Sequence, residues 1–327
     1  MSPPATLATL ASLERDRATK VATFADEYPF APHFHELAGG LRLHYVDEGP
    51  RDADPMLFVH GYPTWSFYWR NLIQAFSGDH RCVAVDHIGC GFSDKPEDWS
   101  YRLSDHVANL EALILALDLR RITLVVHDWG GPIGLGFAER HKDRIARLIV
   151  LNTAAFPNDS WGGRAPLRIR ACLTPVLGNL AVRGLNAFAR MATVMAVEKH
   201  DHMTPTVKAG FLAPYDTYAN RIATLRFVED IPLKRSHPSY ATLAGIANGL
   251  AALRDLPMCL IWGERDWCFT PAFRAEWQRR FPAARVHTAE DAGHYVVEDA
   301  APRVVEWIRA FAEDHPLDES ATPAPEA

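Results

Sequence analysis

An α/β fold is what this 327-residue sequence predicts: a mostly parallel sheet with helices on both faces and one inserted helical cap. Three observations carry that expectation. Short apolar runs alternate with stretches of helical spacing along most of the chain, the pattern of strands joined by crossover helices. The alternation stops between about residues 156 and 238, a stretch that is helical, apolar and proline-punctuated, with no strand signal. Finally, one apolar run, Ile122 to Val126, leads straight into His127-Asp-Trp-Gly-Gly131, a reactive side chain followed at once by two glycines.

In chain order, Leu41 to Val46 alternates like a half-buried strand, broken by Asp47-Glu-Gly-Pro50. Met56 to Val59 is a continuous apolar strand ending at His60-Gly61. Arg81 to Asp86 is another, ending at the glycine-rich turn Gly89-Cys-Gly91. Leu103, Val107, Leu110, Leu113, Ile114 and Leu117 share one face of a helix over 101–119. The Ile122 strand follows, then an amphipathic run from Pro132 to Arg144. Ala146 to Leu151, Pro257 to Trp262 and Ala284 to Thr288 read as the remaining strands, and 303–311 as a last helix. The expected division is an N-terminal extension over 1–26, core over 27–155, cap over 156–238, core again over 239–315, and an acidic, Pro/Ala-rich, disordered tail over 316–327. A cap inserted there covers the carboxyl edge of the sheet, where open α/β sheets bind ligands.

Composition narrows the function classes. Net charge is −6, which gives nucleic acid no electrostatic footprint. No run of about 18 apolar residues occurs, so no spanning helix is expected. The five cysteines (Cys82, Cys90, Cys172, Cys259, Cys268) are scattered with no C-x-x-C pair, and no trustworthy export signal opens the chain; both point to a reduced, cytoplasmic protein. His33, His35 and His44 lack metal spacing. No phosphate loop or zinc signature is present, so neither cofactor nor metal is expected. His127 and His87 read as satisfied structural residues, and His200 and His202 as surface residues of the cap.

Strand, sharp turn and helix around Asp128 form the context in which an α/β-hydrolase presents its nucleophile, and here that residue is an aspartate rather than a serine. A carboxylate that attacks carbon leaves an ester on the protein, so displacement at an alkyl or strained-ring carbon is expected and amide cleavage is not. Such an ester needs a base and an acid that orients it, in the chain order nucleophile, acid, histidine. Asp266 directly follows an apolar strand, in Gly263-Glu-Arg-Asp266, and His294 follows the last strand, in Asp291-Ala-Gly-His294. The triad expected is therefore Asp128, His294 and Asp266, with Glu264 as the rival acid. His60-Gly61-Tyr62 brings the backbone close to the nucleophile, and the amides of Tyr62 and Trp129 are positioned as donors to developing negative charge. The Trp129 indole is assigned to the pocket.

The segments HGYPTWSFYWRNL (60–72), DHIGCGFSDKP (86–96), VHDWGG (126–131), WGERD (262–266) and DAGHY (291–295) resemble the haloalkane dehalogenase and epoxide hydrolase branch of the α/β-hydrolases, over about residues 27–314. Within it, LNTAAFP (151–157), GLNAFAR (184–190) and APYDTYANRIATLRFVEDIPL (213–233) are similar to the cis-β-lactone decarboxylases of bacterial long-chain olefin biosynthesis. The resemblance implies a lyase acting on a long-chain cis-β-lactone, an apolar small-molecule substrate and assembly with enzymes of the same pathway. The alternatives are a haloalkane dehalogenase, an epoxide hydrolase and a binding-only pseudohydrolase. In some relatives the acid follows the preceding strand; Asn152 stands there and cannot ionise. Haloalkane dehalogenases usually carry asparagine where this chain has Tyr62, whose phenol donates from farther out. Epoxide hydrolases need two cap tyrosines, for which Tyr215, Tyr218 and Tyr240 are candidates.

Overall fold

A computed structural model describes residues 9–157 and 178–317. Its centre is one eight-stranded sheet in the order β1-β2-β4-β3-β5-β6-β7-β8. The strands are β1 (His33–Glu36), β2 (Arg42–Glu48), β3 (Pro55–Val59), β4 (Arg81–Val85), β5 (Ile122–His127), β6 (Ile145–Leu151), β7 (Met258–Gly263) and β8 (Arg285–Ala289). β1 and β2 run antiparallel to their neighbours, and the other pairs are parallel. β3 to β7 are buried along their whole length apart from Arg81 and Ala146. That explains why they read as continuous apolar runs instead of alternating: helices cover both faces.

Around the sheet lie α1 (Leu10–Val21), α2 (Arg70–Phe76), α3 (Leu103–Ala116), α4 (Gly130–Ala138), α8 (Tyr240–Gly249), α9 (Pro271–Arg280) and α10 (Val296–Asp314). Between β6 and β7 the described residues also form α5 (Ala187–Met195), α6 (Pro205–Leu212) and α7 (Ile222–Glu229), and no strand. The expected disordered tail and the beginnings of the extension and of the cap helices lie largely outside the described residues, as does Cys172. The other four cysteines are unpaired. No described helix is long and apolar enough to cross a membrane.

Three local expectations are revised and one unread strand is added. β2 does not break at Asp47; it runs through Glu48, because Asp47 and Glu48 pair with Val83 and Cys82. The Asp47 charge is met by Arg81 at 2.9 and 2.8 Å. The edge strand β1, four residues rich in histidine, gave too short a signal to be read. The run after Asp128 is not amphipathic to Arg144: α4 stops at Ala138 and every residue of it is buried. It is squeezed between α3 and α8, so closely that a Cβ on Gly136 would stand 3.0 Å or less from Val107 and Ile246. The last helix starts at Val296, seven residues earlier than expected, and bends at Ala300, two residues before Pro302, whose ring and missing N–H interrupt the ladder.

Charge as well as apolar packing ties the helices of the outer layer to one another. Arg70 on α2 grips Glu298, in the first turn of α10, through two parallel bonds of 2.6 and 2.8 Å, and reaches Glu27 at 3.2 Å. Arg70 and Glu298 are both buried. Glu298→Ala leaves that guanidinium desolvated with only the half-exposed Glu27 as a carboxylate partner. The expected loss of unfolding free energy in urea is ~3–5 kcal/mol. A loss under 1 kcal/mol would mean that Glu27 alone satisfies Arg70.

Candidate active site

Asp128 follows the last residue of β5 with φ at +51°, the left-handed region, which non-glycine residues rarely adopt. The conformation is held by its surroundings. The Asp128 amide donates to the Asn152 carbonyl at 3.2 Å, and the Thr153 hydroxyl donates to the Asp128 carbonyl. Two glycines make room. A Cβ on Gly61 would lie 2.1 Å from Asp128 Oδ1, and one on Gly130 would lie 1.9 Å from the Val59 carbonyl oxygen. No side chain fits at either place: the Asp128 side chain lies against the Gly61 backbone, and the start of α4 lies against the end of β3.

The Tyr62 amide donates to Asp128 Oδ1 at 2.7 Å. His294 Nε2 lies 3.6 Å from Asp128 Oδ2, and His294 Nδ1 is 2.8 Å from Asp266 Oδ2. The three residues named from the sequence therefore stand in one row, Asp128 to His294 to Asp266. Asp266 is fixed on both oxygens: Oδ1 accepts the amides of Cys268 at 2.7 Å and Phe269 at 3.0 Å, and Oδ2 accepts the Asn152 amide group at 2.9 Å as well as His294. Glu264 instead pairs with Arg274 at 2.9 Å and is not part of the row.

Asn152 is more than a position that cannot ionise. Its side-chain oxygen accepts the Gly263 amide at 2.8 Å and its NH2 reaches the Gly263 carbonyl at 3.1 Å. It latches the end of β6 to the start of the acid's loop. Its place after an apolar strand was a visible signal, but the partner was not. His127 is fully buried, and its Nε2 donates to the His294 carbonyl at 2.9 Å. Burial drives its pKa well down, so it stays neutral and acts as a support for the histidine loop. His87 and His60 bond each other, with the His87 amide on His60 Nε2 at 3.2 Å and His87 Nε2 on the His60 carbonyl at 3.0 Å.

The electrostatics separate the groups. Burial raises the Asp128 pKa, opposed by His294 and by the Tyr62 and Trp129 amides; it ends above the usual carboxylate value. Burial opposes charge on His294, but the charge of Asp266, its hydrogen bond and Asp128 together raise its pKa above 6.5.

The row opens on a cavity of about 560 Å³. Its walls are apolar: Phe156, Phe188, Met191, Phe227, Leu243 and Phe273 among others, with Asp128, His294 and Trp129 at the base. Trp129 is half-buried and meets the edge of Phe227 at 5.5 Å. Tyr62 departs from the expectation for its phenol. Its ring stacks on Phe227 at 4.8 Å, and its hydroxyl is buried beside Thr224 and Cys90. Only its backbone amide serves the carboxylate. Of the three candidate tyrosines, Tyr240 lines the cavity. Tyr215 is buried with its hydroxyl on the Thr64 carbonyl at 3.3 Å, and Tyr218 is 51% exposed with its hydroxyl on Asn179 at 3.1 Å. A pair of tyrosines facing the carboxylate is not formed by these residues.

The sequence matches the model of the alpha/beta hydrolase fold family over residues 54–301. It is 42% identical over 317 residues to the cis-3-alkyl-4-alkyloxetan-2-one decarboxylase of Shewanella oneidensis, covering 91% of this chain and 98% of that protein. It is 39% identical to the Xanthomonas campestris protein of the same name over 89% of this chain and 98% of that one. With the haloalkane dehalogenase of Mycobacterium marinum it shares 35% identity over 86% of this chain and 93% of that one. Among solved structures, the haloalkane dehalogenase DbeA from Bradyrhizobium elkani superposes with a TM-score of 0.78 at 28% identity, covering 87% of this chain and 99% of that one. The chain belongs to the α/β-hydrolase fold family, in the branch that holds these enzymes.

If Asp266 supplies the charge that keeps His294 basic, Asp266→Asn lowers the His294 pKa. The wild-type group is charged below its raised pKa, so the variant loses that charge at a lower pH. Titration of histidine-labelled protein by NMR reads this directly, and an unmoved His294 titration would remove Asp266 from the role.

Proposed function

We propose that this α/β-hydrolase-family enzyme decarboxylates a cis-3,4-dialkyl-oxetan-2-one, a β-lactone, to an alkene and CO2, with Asp128 as nucleophile, His294 beside it and Asp266 behind His294. One observation carries the choice of reacting carbon. Asp128 Oδ1 already accepts the Tyr62 amide at 2.7 Å, and the Trp129 amide favours the same carboxylate. The amides that a serine enzyme keeps for a substrate's oxyanion are used here by the nucleophile itself. Attack on the lactone carbonyl would raise an oxyanion with no such donors. Attack on ring carbon 4 raises none, because the departing oxygen becomes part of a carboxylate.

In that sequence the Asp128 carboxylate bonds to carbon 4 with inversion, and the carbon 4–oxygen bond breaks to free a carboxylate on carbon 3. The carbon 3–CO2 bond pair then forms the carbon–carbon double bond, the ester C–O bond breaks, and Asp128 is restored. No water or proton is consumed. Inversion leaves the Asp128 ester anti to the carboxylate, so anti elimination of a cis lactone gives a cis alkene. The apolar cavity favours the second step: it penalises the freed carboxylate, whereas the charge that returns to Asp128 finds two amides and His294. The Trp129 indole, at the cavity base, is the donor for the transient carboxylate.

We read 156–238 as the cap over core segments 27–155 and 239–315, and the cytoplasm as the place of action. Assembly with enzymes that make the lactone belongs to the same reading. Haloalkane dehalogenation is the second reading, favoured by the Mycobacterium marinum relative. It is weakened by the Tyr62 hydroxyl, which is buried beside Thr224 and Cys90.

Asp128→Asn is expected to abolish turnover of a dialkyl oxetanone, a bromoalkane and an epoxide alike, assayed before slow deamidation restores the acid. Full activity in fresh protein would remove Asp128 as nucleophile.

His294→Ala separates the chemistries. A hydrolase lacking it should accumulate an alkyl ester on Asp128, visible as added mass, whereas the decarboxylase ester should drain to alkene without it; a rate loss of roughly 10²–10⁴-fold is expected only where His294 transfers a proton. In H2-18O the wild type should make alkene with no label in Asp128. Hydroxy acid with labelled Asp128 would replace the decarboxylase reading by a hydrolytic one.

A further inference from the structure

His294 and Asp266 are carried by loops, five residues past β8 and three past β7. A loop fixes a side chain to the tolerance a reaction needs only when a supporting shell ties it down. Besides Asn152 and His127, ties come from the end of α5 and the segment that follows it. Helix α5 lines the cavity with Phe188, Met191, Ala192 and Met195. The carbonyl of Met195 accepts the indole N–H of Trp267, the residue after Asp266, at 2.9 Å. The next carbonyl, Ala196, accepts the amide of Tyr295, the residue after His294, at 2.7 Å.

Asp299 completes the brace. It is 1% exposed. Its Oδ2 accepts the amide of Gly293, the residue before His294, at 2.7 Å. Its Oδ1 accepts the Lys199 amide at 2.8 Å, and the Glu198 amide lies 3.1 and 3.0 Å from the two oxygens. One buried carboxylate thus joins the histidine loop to the residues just past α5. His294 is bracketed on both sides, through Gly293 to Asp299 and through Tyr295 to Ala196.

We propose that Asp299 and Trp267 are positioning residues that hold His294 and Asp266 in register from the end of α5, so that the cavity-lining helix as well as the sheet sets the geometry of the row. Neither needs to change charge for this. Alkyl groups packed against Phe188 and Met191 bear on the same helix, which couples a filled cavity to the placement of His294. The inference rests on the reading of His294 as the partner of Asp128.

The test uses the full chain labelled with 15N-histidine, together with steady-state turnover of a dialkyl oxetanone. The groups facing His294 are Asp266, Asp128, His127 and Tyr295, all left in place. In Asp299→Asn the side-chain NH2 must face an amide that the carboxylate accepted. In Trp267→Phe only the ring N–H and its extra ring atoms are lost. Asp299→Asn is expected to lower kcat by ~10-fold or more, with KM within about twofold. In both variants the downfield His294 Nδ1–H signal should weaken and the His294 titration move to lower pH. A variant that melts earlier but keeps the wild-type kcat, signal and titration would show Asp299 to be structural only, and would overturn the proposal. If Asp299→Asn does not fold, Trp267→Phe decides by the same signal and titration. The NMR readout needs no substrate. Failure to make alkene from any oxetanone, with the His294 signal altered as expected, sinks the decarboxylase reading and leaves the brace standing.

Discussion

A carboxylate held at the end of a central strand, in a left-handed backbone, with its own amide donor already in place, is the constraint on which the rest of this site depends. Asp128 adopts φ +51° because the Asn152 carbonyl, the Thr153 hydroxyl and the close approach of β3 leave it no other conformation. Such a conformation is maintained only where the surroundings over-determine it. The strain has a chemical use. It lays Oδ1 on the Tyr62 amide, so that donor is already occupied by the carboxylate itself. A carboxylate that occupies its own oxyanion hole is suited to displacement at carbon and poorly suited to acyl transfer.

A second buried polar group, Asp86, does for the loops what Asn152 does for the acid. Its oxygens accept the amides of Ser66 at 2.7 Å and Phe92 at 2.9 Å, and His44 lies 2.8 Å away. Burial opposes the charge, but His44, His60 and the Phe92 amide hold the carboxyl well below its usual range. A buried hydrogen-bonded network of this kind rigidifies the region around it. The loops fixed in this way follow β3 and β4, and the first of them carries Tyr62. The histidines His44, His60 and His127 therefore support the site from behind without entering it.

Much of this molecule was legible in the sequence because its signals are local. A parallel sheet buried on both faces writes itself as continuous apolar runs, and five of these are β3, β4, β5, β6 and β7. A nucleophile elbow writes itself as strand, reactive residue and glycines. Strand ends mark Asp266 and His294. Where the reading failed, the deciding contact was distant. β2 runs on through Asp47 because Arg81 neutralises it. α4 is apolar all round because α3 and α8 press on it, so the boundary of an amphipathic run misplaces its end.

The chain by itself determined the fold class and singled out Asp128, His294 and Asp266 as the candidate row, since each follows from residue type and from position along one strand or turn. Only the tertiary structure decided which group of Tyr62 serves the carboxylate, that Tyr215 and Tyr218 point their hydroxyls elsewhere, and that Asn152, His127, Trp267 and Asp299 support the row. The reason is one of range. A hydrogen bond between residues a hundred positions apart leaves no periodicity in the sequence, and the direction of a side chain is set by neighbours that only folding supplies.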